Sequence, residues 1–440
     1  MRKRHIALGA ILVTGALLLA GCSSAGTNKS TSGIDTNPSG KGKTLTLWDY
    51  EGDTSAMGIA WKAAIPIFEK ETGAKVKFEA KSFEQIQSTA SQVLNSNSAP
   101  DVMEYNKGNA TAGLLSSEGL LTNMNAAYKA YGWQKDLSSS LQTTARYNTK
   151  GVMGSGNFYG IPNYGEFVMV YYNQDSFKKY GISVPTTFSQ FESALATFKS
   201  HGITPLSESS VEYPLGQLWY QLALSHATRQ WVTNYQTYTG KVNFHDADFT
   251  FAANTIKDWV AKGYISKNAN GTKAQDAGDA FQNGTNPIFY SGSWWYGTFI
   301  SGIKTFKWGT FLFPGSNLAP GSSGNLWVVP TKAKNKDLAY KFIDITMSKK
   351  IQNLMGNSGG IPVAADASAI TGAKNKELIA NFNTLTKRDG LAFYPDWPTS
   401  TFYDQINTAL QKLVDGSETP TQFLTELGGE YATGVKQITG

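Results

Sequence analysis

The 440-residue chain contains a single cysteine, Cys22, and only four histidines. One thiol cannot close an internal disulfide, and without paired cysteines or an H-E-x-x-H segment no catalytic zinc site is expected. No Walker-type G-x-x-x-x-G-K-[ST] loop and no dinucleotide-binding G-x-G-x-x-G occurs. Asp246 and Asp248 are too few oxygen ligands for a calcium loop. Neither a metal nor a cofactor is therefore expected. Charge is also sparse, at 16% of residues. Setting aside Arg2, Lys3 and Arg4, the 39 Lys and Arg fall to 36 against 33 Asp and Glu, so the net charge drops from +6 to +3. That balance lacks the concentrated basic face of a nucleic-acid binder. After residue 20 no apolar run is long enough to span a bilayer.

The one long apolar run is at the start. Arg2, Lys3 and Arg4 precede a stretch at 6–20 rich in Ala, Leu, Ile and Val, the length of a signal-peptide core. It ends in Leu19-Ala20-Gly21-Cys22, which resembles a bacterial lipobox. Residues 1–21 are accordingly expected to be a lipoprotein signal peptide and Cys22 the lipidated residue, with two acyl chains sufficing for stable anchoring. Residues 22–43, dominated by Ser, Gly, Thr, Asn and Lys, read as a flexible linker. Its r.m.s. reach is about 25 Å. The expected location is the extracytoplasmic face of a bacterial cell membrane.

From residue 44 the pattern is α/β. Thr44 to Trp48, Lys75 to Glu79 and Pro100 to Tyr105 read as strands, with helices at about 55–72 and 83–95 between them. Gly73 suits a left-handed helix cap. A loop or crossover at 160–166 leads to a strand at 167–172, and Thr187 with Gln190 forms a capping box. Helices are expected at about 214–235 and 249–262, a strand at 286–290, strand-like pieces at 306–313 and 325–329, and a helix near 336–349. Such an order implies mostly parallel sheets flanked by helices. Gly356-Asn357-Ser358-Gly359-Gly360 fits the nucleophile-elbow pattern, but a helical segment precedes it and every histidine lies earlier, so a helix-end turn is expected there.

Aromatic residues are abundant: 11 Trp, 21 Tyr and 23 Phe, 12% of the chain. Trp48 and Trp61 are expected in the core. Others sit with acids and amides just past predicted strands, where α/β sheets bind ligands. Tyr50, Glu51 and Asp53 follow the first strand; Tyr105, Asn106, Lys107 and Asn109 follow the third; Trp294 and Trp295 follow the strand at 286–290; Asp396 and Trp397 lie in a proline-flanked loop. Sugars offer C–H faces to such rings and hydroxyls to such acids and amides, so the clusters favour a carbohydrate cleft. A secreted glycoside hydrolase using a pair of acids, or a binder of a peptide or polyamine, remains open at this level.

Thr46-Leu47-Trp48, Phe68-Glu69-Lys70-Glu71-Thr72-Gly73, Ala99-Pro100-Asp101-Val102 and Gly113-Leu114-Leu115 resemble, in order and spacing, the maltose-binding-like solute-binding proteins of ABC sugar importers. Tyr159-Gly160-Ile161-Pro162, Tyr171-Tyr172-Asn173, Ser291-Gly292-Ser293-Trp294 and Gly360-Ile361-Pro362-Val363 extend the resemblance over the mature chain. It implies a two-lobed periplasmic-binding-protein-like fold with the ligand between lobes. One lobe would comprise 44–160 and about 309–345, the other 161–308 and about 346–440. It further implies a non-enzymatic monomer that captures a mono- or oligosaccharide for a permease and its ATPase. By position Trp294 matches the family's stacking ring, Glu166 an acid past the first crossover, and Phe402 or Tyr403 a second ring. Cys22→Ser is expected to abolish incorporation of labelled fatty acid into the protein, as read by metabolic labelling and immunoprecipitation.

Overall fold

A computed structural model describes residues 33–440; Cys22 and the expected signal peptide lie outside the described residues. β1 (Thr44–Asp49) alternates, with Leu45 and Leu47 turned into the core. Trp48, on the opposite face, is only half-buried beneath the Lys81 ammonium, 4.6 Å from its ring, whereas Trp61 is fully buried against Trp327. The period of two that buries the leucines turns Trp48 out.

Helix α1 (Ala56–Thr72) starts at Ser55, whose hydroxyl accepts from the Gly58 N–H at 2.9 Å. It stops at Gly73, left-handed at φ 74°, whose N–H returns to the Glu69 carbonyl. β2 (Lys75–Ala80), α2 (Phe83–Leu94) and β3 (Val102–Tyr105) follow. β1 pairs in parallel with both β2 and β3. Leu326–Val328 then adds antiparallel to β3, and Ile161–Pro162 antiparallel to that strand.

A second sheet is built on the long strand Tyr164–Asn173. It pairs antiparallel with Ile288–Gly292 and Trp308–Phe311, and its first residues also pair with Gly321–Ser323 and Ile361–Pro362. Leu206–Ser207 joins in parallel at the far edge. This sheet is mixed rather than mostly parallel, because Tyr164–Asn173 runs antiparallel to all four strands it pairs with, and the parallel pair is Leu206–Ser207 with Ile288–Gly292. Only Asn163 separates Ile161–Pro162 in one sheet from Tyr164–Asn173 in the other, and only residues 324–325 separate Gly321–Ser323 from Leu326–Val328. Trp308–Phe311 still belongs to the second sheet, so the return to the first falls between 323 and 326, not near 309.

Smaller differences have local causes. The helix expected at about 214–235 is two, Tyr213–Leu224 and Arg229–Thr237, because the Thr228 hydroxyl caps the second by accepting from the Trp231 N–H. Ser358 follows the helix Lys349–Asn357 and Gly360 donates back to the Met355 carbonyl, so a helix-end turn replaces any nucleophile elbow. No described helix is long and apolar enough to cross a membrane.

Asp101 ties the first sheet to the segment that leads out of its fourth strand. Its buried carboxylate accepts from the Thr46 N–H and hydroxyl and from the backbone N–H groups of Lys334 and Asn335, at 2.8 to 3.1 Å. Asp101→Ala strands several donors at once and is expected to cost about 3 kcal/mol in urea unfolding.

Candidate functional site

Side chains from both sheets meet in a cleft of about 970 Å³, part of it open to solvent. Its floor is a buried ion pair. Lys107, just beyond β3, is paired with Glu166 near the start of Tyr164–Asn173, and both side chains are almost completely buried. The Lys107 ammonium also donates to Asn325 Oδ1 at 3.0 Å and lies 5.3 Å and 5.5 Å from the rings of Tyr394 and Trp397. Carboxylate, amide and ring faces together replace the water that the ammonium gives up.

Beside this pair lies an acidic group. The Tyr164 hydroxyl accepts from Asn325 Nδ2 at 2.8 Å and stands within reach of the carboxyls of both Glu51, at 3.4 Å, and Glu104, at 3.3 Å. Glu51 also accepts from the Ser55 hydroxyl at 2.9 Å. One oxygen of Glu104 and one of Asp49 have no partner, nor does the buried Tyr50 hydroxyl. Burial pushes Glu51 up to about 7 and Asp49 up to about 8, and raises Glu104 well above the carboxyl range. Asp396, which feels the charges of Lys107 and Glu166, is pushed by burial up to about 6.

Rings make up much of the remaining wall. Trp294 donates through Nε1 to the Tyr213 hydroxyl at 3.2 Å, and the two rings meet edge to face at 5.6 Å. Phe83 and Tyr403 meet across the mouth at 6.2 Å. Trp397 lies over Gly108, φ 106°, where a Cβ would come within 2.5 Å of the ring. A concave cleft lined by rings, acids and amides from both sheets is a binding architecture.

The profile of the bacterial extracellular solute-binding proteins matches residues 51–353. The chain belongs to that family. The diacetylchitobiose binding protein DasA of Streptomyces coelicolor is 24% identical over 402 residues, covering 89% of each chain. A maltooligosaccharide ABC transporter solute-binding lipoprotein of Streptococcus pneumoniae is 25% identical over 392 residues, covering 86% of this chain and 85% of the other. Among solved structures, a chitin oligosaccharide binding protein superposes with a TM-score of 0.74 at 18% identity, over 90% of this chain and 100% of that one. The two-lobed α/β fold is thus common to this solute-binding protein and its structural neighbours.

Of the residues singled out in the sequence, Tyr50, Glu51, Asn106, Lys107, Glu166, Trp294, Trp295, Asp396 and Trp397 line the cleft. Trp295 shows only an edge, its ring stacked on Phe299 at 5.5 Å and seated against Gly278. Four do not line it. Asp53 projects into solvent, its side chain 80% exposed, and pairs with Lys62 at the start of α1. Tyr105 is still within β3 and turns into the core, the pleat leaving the next residues for the cleft. Phe402 is buried against Tyr235, Phe244 and Tyr431; one residue later, a helical step of about 100° brings Tyr403 to the wall. Asn109 is structural, donating to the Gln236 carbonyl and the Tyr238 hydroxyl.

Sequence reasoning missed Phe83, Tyr164, Tyr213, Gln217 and Asn325. Phe83 follows β2 and was open to the same strand-end rule that singled out Tyr50. Tyr213 and Gln217 sit on a helix whose apolar pattern reads as core, and Tyr164 and Asn325 sit in crossovers whose partners only the fold supplies.

The raised carboxyls fix the sign of a pH effect. Their folded values lie above the ordinary 4.5 of Glu and 3.8 of Asp, so the folded state holds more protons. Their contribution is therefore fully present at acid pH and is lost as pH rises through about 7 for Glu51 and about 8 for Asp49. The Tm of the ligand-free protein is expected to fall across that window in differential scanning calorimetry, and Glu51→Gln is expected to flatten the slope.

Proposed function

We propose that this solute-binding protein captures a mono- or oligosaccharide in the cleft and delivers it to the permease and ATPase of an ABC importer, without catalysing a reaction. The observation that carries this reading is the cleft itself. Trp294 and Tyr403 supply partly exposed rings, with Trp397 packed behind Lys107, while Asn106, Lys107, Glu166 and Asp396 supply donors and acceptors spread over the cleft. A sugar is apolar along its C–H faces and polar around its rim, and such a wall matches both properties at once. The names of the relatives, a diacetylchitobiose binder and a maltooligosaccharide binder, point the same way.

The sheet change at 162–164 and again at 323–326 is a place for hinge closure, with one lobe built on β1, β2 and β3 and the other on Tyr164–Asn173. In this reading the protein acts as a monomer, and Cys22 holds it by its lipid on the outer face of the cell membrane. Tethering keeps the captured sugar within reach of the importer.

Calorimetry of Trp294→Ala against a panel of sugars tests the site. The best ligand is expected to lose more than about 1 kcal/mol of binding free energy, as for a buried aromatic anchor. An affinity within about 1 kcal/mol of wild type removes Trp294 from the centre of the site.

A further inference from the structure

We infer that the captured sugar carries a protonated amine, as in an amino sugar or an oligosaccharide of amino sugars, held between Glu51 and Asp396 against the aromatic wall. The inference rests on the carbohydrate reading above and adds the chemical class of the ligand.

Charge within the cleft is unbalanced. Three lining carboxyls, Glu51, Glu166 and Asp396, face one lining cation, Lys107. Lys107 is already engaged by Glu166 and Asn325. Glu51 accepts from the Ser55 hydroxyl, lies within reach of the Tyr164 hydroxyl and shares a hydrogen bond with the carboxyl of Glu104, and Asp49 stands close enough to feel its charge. Among the described residues no side chain donates to Asp396, and Lys62, the cation felt at Asp49, is paired outside the cleft with Asp53. Glu51 therefore has no cationic partner among the lining side chains, and Asp396 has only the charge of Lys107, which Glu166 already pairs.

The ring faces are suited to supply the rest of an ammonium site. Tyr394 and Trp397 already accept the Lys107 ammonium at 5.3 Å and 5.5 Å. Trp294, Tyr50 and Tyr403 offer further rings on the same cleft. Tyr394, only 4% exposed, has a hydroxyl without a partner. An N–H donor entering there would satisfy it.

A neutral sugar and an amino sugar differ in what they do to protons. A neutral sugar expels water from Glu51 and Asp396 without adding charge, so these groups take up protons on binding. A cation lets them ionise, so protons are released. Both groups lie near neutrality, at about 7 and about 6, where either change is measurable.

The test is calorimetry of the mature protein in two buffers of different ionisation enthalpy, at a mildly acidic pH where the free sugar amine is already fully protonated and takes up no proton of its own. The probes are the glucosamine disaccharide, its N-acetylated counterpart, a neutral glucose disaccharide, and spermidine as a non-sugar amine. The glucosamine disaccharide is expected to bind at least about tenfold more tightly than its N-acetylated form, with proton release, and Glu51→Gln is expected to erase most of that preference. Equal or tighter binding of the N-acetylated or neutral disaccharide, or proton uptake with the aminated one, overturns the inference and leaves carbohydrate capture standing. Binding of spermidine with failure of every sugar overturns both.

Discussion

The arrangement of this molecule depends on one buried ion pair. Lys107 stands where β3 ends and Glu166 where the central strand of the second sheet begins, so their contact fastens the two sheets at the point where the chain changes from one to the other. An ion pair removed from water is rarely stabilising by itself, because the desolvation of two charges offsets their attraction. Here the offset is reduced by Asn325, which accepts from the ammonium and donates to Tyr164, and by the faces of Tyr394 and Trp397. The pair thereby sets the position of four other cleft residues. Its value lies in placement more than in net stability.

The same neighbourhood shows how backbone is made to yield space to function. Trp397 occupies the volume a side chain would need at Gly108, Trp295 that at Gly278, and Trp294 that at Gly292. Each glycine lets a large ring of the cleft, or of its immediate support, lie directly on main chain. On the acidic side the economy is different. Asp49, Glu51 and Glu104 crowd a poorly hydrated corner where full ionisation is unfavourable, and their proton affinity rises accordingly. The cleft thus joins an aromatic wall to an acidic corner whose proton affinity is raised by burial.

Much of the fold was legible because its signals are local. Leu45 and Leu47 alternate, Ser55 and Gly73 bound a helix at its two ends, and Thr187 with Gln190 closes a capping box. The site was legible where a residue directly follows a strand, as with Glu51, Lys107 and Trp294. It was illegible where a single step of pleat or helix decides the direction of a side chain. Tyr105 against Asn106 and Phe402 against Tyr403 are pairs of neighbours of which one faces the core and one the cleft. Which of the two faces inward depends on what packs against the element, and that partner lies far away in the chain.

The amino-acid sequence by itself determined the α/β class, the limits of most helices and strands, and the presence of aromatic and polar residues at strand ends. These follow from periodicity, capping and turn chemistry, whose range is a few residues. Only the tertiary structure decided that Lys107 meets Glu166 across 59 positions and that Asn325 meets both Lys107 and Tyr164. It also decided that Tyr164–Asn173 would lie in a mixed sheet and that the acids of β1 and β3 would gather on one floor. Contacts of that kind are selected by the burial of whole faces against one another, and no local window of sequence contains both sides of such a contact.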